Sequence, residues 1–586
     1  MKQKLCVRLL TLALVCLLAL PALASCSMSV GPAKKAFTDQ TKFFSDRDPY
    51  ADIDEDVFDI GDKTLVYRYT EQNEQYFRDL IEKAYDLIED GGKEQEFLTA
   101  YEELDELYGL LVDQYRLAYI EYCLFGDDEE SSDNYLYISA LQTDILQDLI
   151  AMYQDIYDSP YRDAFFEGWT EQEIRQALDE AALYTDEFVE LQNRADELLV
   201  AYRELDAYDV GEGQAAIRDL YMDFVAVQNE IARNLGYADY MEYAYESVYG
   251  RDYSVEDAGQ IVAWNAEYLV PLLVDTYNAF VGDYQSLSDD GKSLVESLLF
   301  EYPYDGFAAS RTLLKYYKSL GQEALGYYND FLDHGKYFRS KHPDSYQGAF
   351  TWHLYNPDTP ILYFGPGYDG IYTFVHEFGH YSAYLFDGRG SMDLSEVQSQ
   401  GSEMLFTVFA SDVFGEIVME AVAEYNCFQA VFDICQQLII NEFETYVYAH
   451  ADELTADDLD DVYRAAVMKI YGDDELTTDN GRVDTGYDLM SYFYSITPET
   501  YWYMVCIESP GYYISYATSM LGALEVLATG TVDYQSGVEA YLSLLSSETE
   551  SLSEALHNAG LTSPFDEETY RSIAALFRDY YIDDIK

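Results

Sequence analysis

Histidine is scarce in this chain, seven residues in 586, and two of the seven stand four apart in His376-Glu-Phe-Gly-His380. On a helix a spacing of four returns both side chains to one face, so the two imidazoles project together. Two neutral imidazoles side by side can hold a zinc ion, each at about 2.0–2.1 Å. Glu377 follows the first histidine directly, within reach of a zinc-activated water without becoming a ligand, which suits it to act as general base. Zinc brings the pKa of such a water to about 7, so a carboxylate can finish the deprotonation at neutral pH. A catalytic zinc takes three protein ligands and keeps a fourth position for water. The nearest acidic candidates downstream are Glu396 and Glu403, seven apart and so on one helix face; by spacing alone either qualifies. The bland alternative is two surface histidines on an amphipathic helix, which their scarcity and the context below disfavour.

These residues need rigid elements to position them. Ile371–Leu385 reads as one helix, with Asp369 as N-cap and Asp387-Gly388 closing it. Leu394 to Phe414 reads as the next helix. Just before the histidines, Tyr346–Phe350 and Ile361–Phe364 are short, apolar-aromatic and bounded by Pro and Gly, which predicts strands. A peptide substrate can add to such a strand edge through main-chain hydrogen bonds, a recognition indifferent to side chains. His353 lies in this stretch, either as a surface turn residue or as a substrate contact. From Tyr76 to Tyr328 the chain is a succession of amphipathic helices. Tyr76/Phe77, Leu80/Ile81, Ala84 and Leu87/Ile88 keep one stripe that Gly91-Gly92 ends, Phe97–Phe125 repeats it, and Thr170–Glu173 has the form of a capping box. No period of about 20–50 residues recurs, so no solenoid is expected.

The net charge is −75. A surface this acidic excludes nucleic-acid binding through phosphates, which needs clustered Lys and Arg. It also repels anionic lipid, so membrane attachment would have to come from acyl chains. The N-terminus offers them: Lys2, Lys4 and Arg8 precede an apolar run from Leu9 to Leu20, too short for a spanning helix, as in a secretory signal. Leu23-Ala-Ser-Cys26 resembles the lipobox of bacterial lipoproteins, which implies removal of residues 1–25 and acylation of Cys26, with residues 26–62 a solvated tether. An ordinary signal peptide releasing a secreted product is the alternative. Cys123, Cys427, Cys435 and Cys506 fit no CxxC pattern and read as buried apolar residues. With 60 tyrosines, no single tyrosine carries a role without positional support.

HEFGH at 376–380, with Glu396-Val-Gln-Ser399 and Glu403, resembles the thimet oligopeptidase and oligoendopeptidase F family of zinc metallopeptidases. Gly348-Ala-Phe350, Tyr372-Thr-Phe-Val375, Tyr512-Tyr-Ile-Ser-Tyr516 and Ala559-Gly-Leu561 extend the likeness, and Leu235–Tyr240 and Arg251-Asp-Tyr-Ser254 add a weaker match. The resemblance is diffuse over about 60–330 and specific from 346 to 586. It implies a mainly α fold, two helical lobes around a deep channel that admits short peptides, with a small β-sheet beside the zinc helix. The corresponding division is 63–330 for the N-terminal lobe and 331–586 for the catalytic lobe. It implies one zinc held by His376, His380 and Glu396, with Glu403 orienting a ligand histidine. By similarity to the tyrosine pair of angiotensin-converting-enzyme-like peptidases, Tyr516 donates to the oxyanion and Tyr513 contacts substrate, with Tyr512 beside it and His353 a further candidate contact. Two departures stand out: Cys506 lies near the place of a family histidine, and the E-x-x-S segment reads Glu-Val-Gln-Ser. The expected function is a zinc endopeptidase of short peptides, lipid-anchored at the outer face of the cytoplasmic membrane. A lipid-anchored peptide binder on a peptidase scaffold and an exopeptidase using the same zinc site are the rivals.

Overall fold

The computed structural model describes residues 57–582 apart from short segments at 62–64, 66–70, 126–128, 172–173, 176, 179–181, 183–184, 204, 208, 356–357, 387–390, 473–475, 479–480, 484–497 and 506. The expectations for Cys26, Cys506, the tether, the Thr170–Glu173 capping box and the Asp387-Gly388 helix end fall, wholly or in part, outside the described residues. The chain forms two compact units, each assembled from separated stretches. Of the described residues, one takes those up to Val189 and returns for Asn329–Asp369; the other takes those in Glu190–Tyr328 and from Gly370 onward. The division expected from the resemblance ran through contiguous segments, whereas these units interleave.

The first unit begins with the stripes seen in the sequence. They fold as α1 (Glu71–Asp90), α2 (Glu94–Leu124) and α3 (Glu129–Asp158). A four-stranded sheet packs on α2, in the order β1 (Phe58–Ile60), β2 (Tyr337–Ser340), β4 (Asp358–Phe364), β3 (Ala349–Tyr355). β4 contains the expected strand Ile361–Phe364, whereas β3 starts later than the expected Tyr346–Phe350 and shares only Ala349 and Phe350 with it; the two pair as an antiparallel hairpin with Phe350 opposite Tyr363 and Trp352 opposite Ile361. Their apolar residues face α2, where Trp352 lies 4.9 Å from the Tyr119 ring and Tyr363 donates to the Cys123 carbonyl at 3.1 Å. Asp113 on α2 accepts from the Tyr355 amide at 2.8 Å, so the helix also satisfies a strand-edge donor.

The second unit is helical. Its elements include α4 (Val270–Ser286), α5 (Phe307–Leu320), α6 (Ile371–Leu385), α7 (Met392–Phe414), α8 (Glu416–Ala449), α9 (Ile514–Val532) and α10 (Tyr534–Leu545). α7 lies at the centre, against α6, α8, α9 and α10. Its first ten residues are all buried, among them Asp393, Glu396, Gln398, Ser399 and Gln400. Polar groups withdrawn from water at this density must be satisfied by neighbours, so a central polar helix marks where chemistry is placed. Cys123, Cys427 and Cys435 are buried, as expected of apolar residues. Among the described residues no helix is long and apolar enough to cross a membrane.

Candidate functional site

α6 supplies the helix that the histidine spacing needs, with one change at its start. The N-cap is Gly370 and no side chain caps it. Asp369, expected there, lies one residue before it, 3.8 Å from the Arg339 guanidinium; glycine serves as N-cap at a cost of only about a few tenths of a kcal/mol. Gly379 sets the approach of α6 to α7. A Cβ there would come within 2.7 Å of the Ser399 Cα and 2.8 Å of the Gln398 carbonyl, so only glycine allows this contact. The close crossing carries both histidines up to the acidic residues of α7.

Each imidazole is anchored through Nδ1. That of His376 lies 2.6 Å from Glu403 Oε1, and that of His380 lies 3.2 Å from the Ser395 hydroxyl. The other nitrogens converge: Nε2 of both rings lies 3.7 Å from the same oxygen, Glu396 Oε2. Glu396 is itself fixed. Tyr512 donates its hydroxyl to Oε1 at 2.9 Å, and the Ser399 hydroxyl lies 3.2 Å from Oε2. Seven residues separate Glu396 and Glu403, and the two carboxylates divide the roles that spacing left open, one facing both Nε2 atoms and one behind His376.

The donor atoms of His376, His380 and Glu396 all lie within 4.8 Å of one another, a separation a single ion can bridge. His380 Nε2 is buried and has no hydrogen-bond partner among the described residues. A buried nitrogen left unpaired is costly, and coordination would satisfy it. Two imidazoles anchored from behind and one oriented carboxylate form the donor set of a catalytic zinc site. The residues therefore fit a divalent metal of that kind.

The two histidines are driven apart electrostatically. Burial alone disfavours the His376 cation, but the Glu403 hydrogen bond and charge, helped by Glu377 and Glu396, push its pKa up to about 9. Burial, with the charge of His376 second, holds His380 well below the usual imidazole range. Without metal the pair carries one proton, on His376, and a metal must displace it.

Glu377 is buried, 3% exposed, and its charge reaches His376. Tyr516 is half-buried on the first turn of α9, its ring edge-on to Tyr512 at 5.0 Å, one ring away from the phenol that grips Glu396. Tyr513, also half-buried, has its ring 6.1 Å from that of Tyr512, and burial lifts its phenol well above the usual value, so it stays protonated. Tyr512 departs from expectation. It was to meet substrate, but it is 2% exposed and its hydroxyl is committed to Glu396. His353 is not a surface residue: it is buried in β3 with Nε2 2.9 Å from Asp358 Oδ1, and burial lowers its pKa to about 4 against the pull of Asp358. Ser395 was given no role, and Ser399 only a place in the E-x-x-S segment, although one adjoins Glu396 and the other stands one turn on; short hydroxyls beside a candidate ligand were the available signal.

No protein-family model and no curated protein matches the chain. Solved structures do. A protein assigned as an oligoendopeptidase F aligns with a TM-score of 0.68 at 17% identity, over 89% of this chain and 98% of its own. PZ peptidase A, solved with an inhibitor, gives 0.65 at 17% identity over 88% and 98%. A protein assigned as an oligoendopeptidase F from Bacillus anthracis gives 0.65 at 17% over 88% and 97%. At this identity the likeness establishes the fold, mainly helical with a small sheet, shared along nearly the whole length of those proteins.

Proposed function

We propose that the chain is a zinc-dependent endopeptidase of short peptides. The observation that carries this reading is the convergence of His376 Nε2, His380 Nε2 and Glu396 Oε2 beside Glu377, in a fold like that of proteins called oligoendopeptidase F and PZ peptidase. His376, His380 and Glu396 would hold one zinc, which supplies Lewis acidity to water and to a carbonyl. Glu377 takes a proton from the water that attacks the scissile carbonyl, and returns it to the amine as the C–N bond breaks. The carbonyl oxygen gains negative charge as the tetrahedral centre forms, and the Tyr516 hydroxyl donates to it. Tyr513 contacts the bound peptide. Glu403 and Ser395 hold the imidazoles by Nδ1 so that Nε2 faces inward, and Tyr512 and Ser399 hold Glu396 against them. The lipobox-like Leu23–Cys26 adds an acyl anchor on Cys26 at the outer membrane face.

Mass spectrometry of a mixed peptide library, digested with and without a chelator, tests the reading. Internal cleavage that stops with chelator and returns with zinc is expected, and Glu377→Gln should bind zinc normally yet cut at least about 10²-fold more slowly. Release of terminal residues only would mean exopeptidase action. Binding without cleavage by zinc-loaded protein would refute the proposal in favour of a peptide-binding role.

A further inference from the structure

One buried cation in the second unit has no part in the chemistry just described. The Arg251 side chain is fully buried and Asp393, its acidic partner, is 1% exposed, with Nε 3.6 Å from Oδ1. The guanidinium lies over the rings of Tyr245 and Tyr249, 4.4 and 4.6 Å from their centroids. Its Nη2 donates to two further groups, the Tyr512 carbonyl at 3.2 Å and the Ser515 hydroxyl at 2.8 Å. Withdrawing a charge from water to this extent is expensive, so what it contacts is informative.

Its polar contacts lie on α7, which carries Glu396, on the turn that carries Tyr512, and on the start of α9. Asp393 is on α7, three residues before Glu396 and so on the same face one turn earlier. Its other oxygen accepts from the Tyr253 hydroxyl at 2.6 Å and from Thr518 at 2.8 Å. Ser515 and Thr518 belong to the opening of α9 and flank Tyr516. Tyr512 ends a tight turn that begins at Ser509, closed by its own amide on the Ser509 carbonyl at 3.1 Å. Pro510 and Gly511 occupy the middle of that turn, and Gly511 has φ +76°, the arrangement of a type II turn. The turn is clasped on both sides: buried Glu444 accepts from the Gly511 amide at 3.1 Å while Arg251 donates to the Tyr512 carbonyl. At the far end of the same residue, the Tyr512 hydroxyl holds Glu396.

We infer that Arg251 is a positioning residue of the metal centre. Through the Tyr512 main chain it sets the orientation in which Glu396 meets the two imidazoles, and through Ser515 and Asp393 it fixes the start of α9 that carries Tyr516. The inference rests on His376, His380 and Glu396 being a metal site, as the proposed function does, but not on peptide hydrolysis.

Cobalt(II) titration of metal-stripped protein tests it, reading affinity and the visible d–d spectrum of the bound ion. Arg251→Lys keeps the charge but replaces a planar fork by a point charge, which cannot serve Tyr512, Ser515 and Asp393 together. It should weaken cobalt binding by about 10–100-fold and shift the spectrum, in a protein whose circular dichroism is unchanged. Tyr512→Phe should do the same. Because Arg251 acts through Tyr512, the double variant should bind no more weakly than the worse single one. Additive losses, or Arg251→Lys within twofold of the parent with an unaltered spectrum, would overturn the inference. Should Arg251→Lys fail to fold, Ser515→Ala replaces it in the cycle, with a loss of about fivefold and the same non-additivity expected. Ser515→Ala within twofold of the parent, or additive with Tyr512→Phe, would again overturn it. A parent that binds cobalt but cuts no peptide leaves the role of Arg251 standing and removes only the endopeptidase; a parent that binds no cobalt removes both.

Discussion

Replacing Glu403 by glutamine separates two things this carboxylate does to His376. In the metal-free protein it holds a proton on the imidazole, whose pKa stands at about 9. That proton must leave before the ring can ligate, so at pH 7, two units below, about 100-fold of intrinsic metal affinity is lost to proton competition. The parent's apparent affinity should therefore climb about tenfold per pH unit from 7 to 9 and level off above. The second effect has the opposite sign. A carboxylate 2.6 Å behind the ring makes Nε2 a better ligand and fixes its direction, a contribution of about 10–100-fold in affinity. In Glu403→Gln the amide oxygen still accepts from Nδ1, but the negative charge is gone and the His376 pKa falls back towards about 6.5. The variant should then show a nearly flat profile above pH 7. At pH 7 it should bind zinc as well as the parent or up to about tenfold more tightly, and at pH 9.5 about 10–100-fold more weakly. Competition against a chelator of known pH dependence measures both curves. A constant ratio between parent and variant across this range would refute the reasoning, because Glu403 would then not be what holds the proton. The same shift carries a stability sign. A raised pKa stabilises the folded metal-free protein fully below about pH 6.5 and ceases to do so as pH rises through about 9. Metal-free parent should accordingly lose stability over that window, and Glu403→Gln should not.

Three further outcomes follow from the geometry. Tyr516→Phe should lower kcat by about 10²–10³ with little change in KM, whereas Tyr513→Phe should raise KM; the reverse pattern on one fluorogenic peptide would exchange their roles. Gly379→Ala places a methyl against the Ser399 Cα and the Gln398 carbonyl, so urea unfolding should show a loss of about 1–3 kcal/mol and metal titration a weaker site; an unchanged midpoint would mean that α6 and α7 are not in the contact described. His353 is held neutral, at about pKa 4, and the unfolded chain takes up its proton from about pH 6.5 downward. Stability should thus fall by about 3 kcal/mol between pH 6.5 and 4, and His353→Gln should lack that part of the acid limb.

Much of the centre was legible because helix arithmetic is local. His376 to His380 and Glu396 to Glu403 each return to one face whatever the rest of the chain does. The bounds of α6 follow likewise from short-range pattern, whereas those of β3 do not, since pairing with β4 carries that strand on to Tyr355. Asp369 shows where local reading ends. It is a good capping residue by type, but Arg339, thirty residues earlier and in the same unit, takes its carboxylate. Asp and Gly differ at an N-cap by only about a few tenths of a kcal/mol, so local preference cannot say which of the two adjacent residues caps. His353 failed for a related reason. Its neighbours in sequence include Pro and Gly, so it read as turn or groove, whereas strand pairing with β4 buries it beside Asp358.

The tyrosine segment shows a different gap, between knowing that a residue is near a site and knowing which atom it reaches. Tyr512 and Glu396 are 116 residues apart, and Arg251 and Tyr512 are 261 apart. Alignment of a tyrosine-rich segment placed three phenols by the metal, but whether a given hydroxyl meets substrate or a ligand depends on the turn that presents it. That turn is set by Glu444 on one side and Arg251 on the other, neither of which any nearby residue announces. Composition even argues against such an arginine. With 34 basic residues against 109 acidic ones, acidic partners are plentiful for a surface cation, and an exposed pair loses little solvation. Arg251 instead gives up its water to sit under tyrosine rings with one aspartate. The desolvation this costs must be returned by what the contacts hold in place, and what they hold is the segment that orients Glu396.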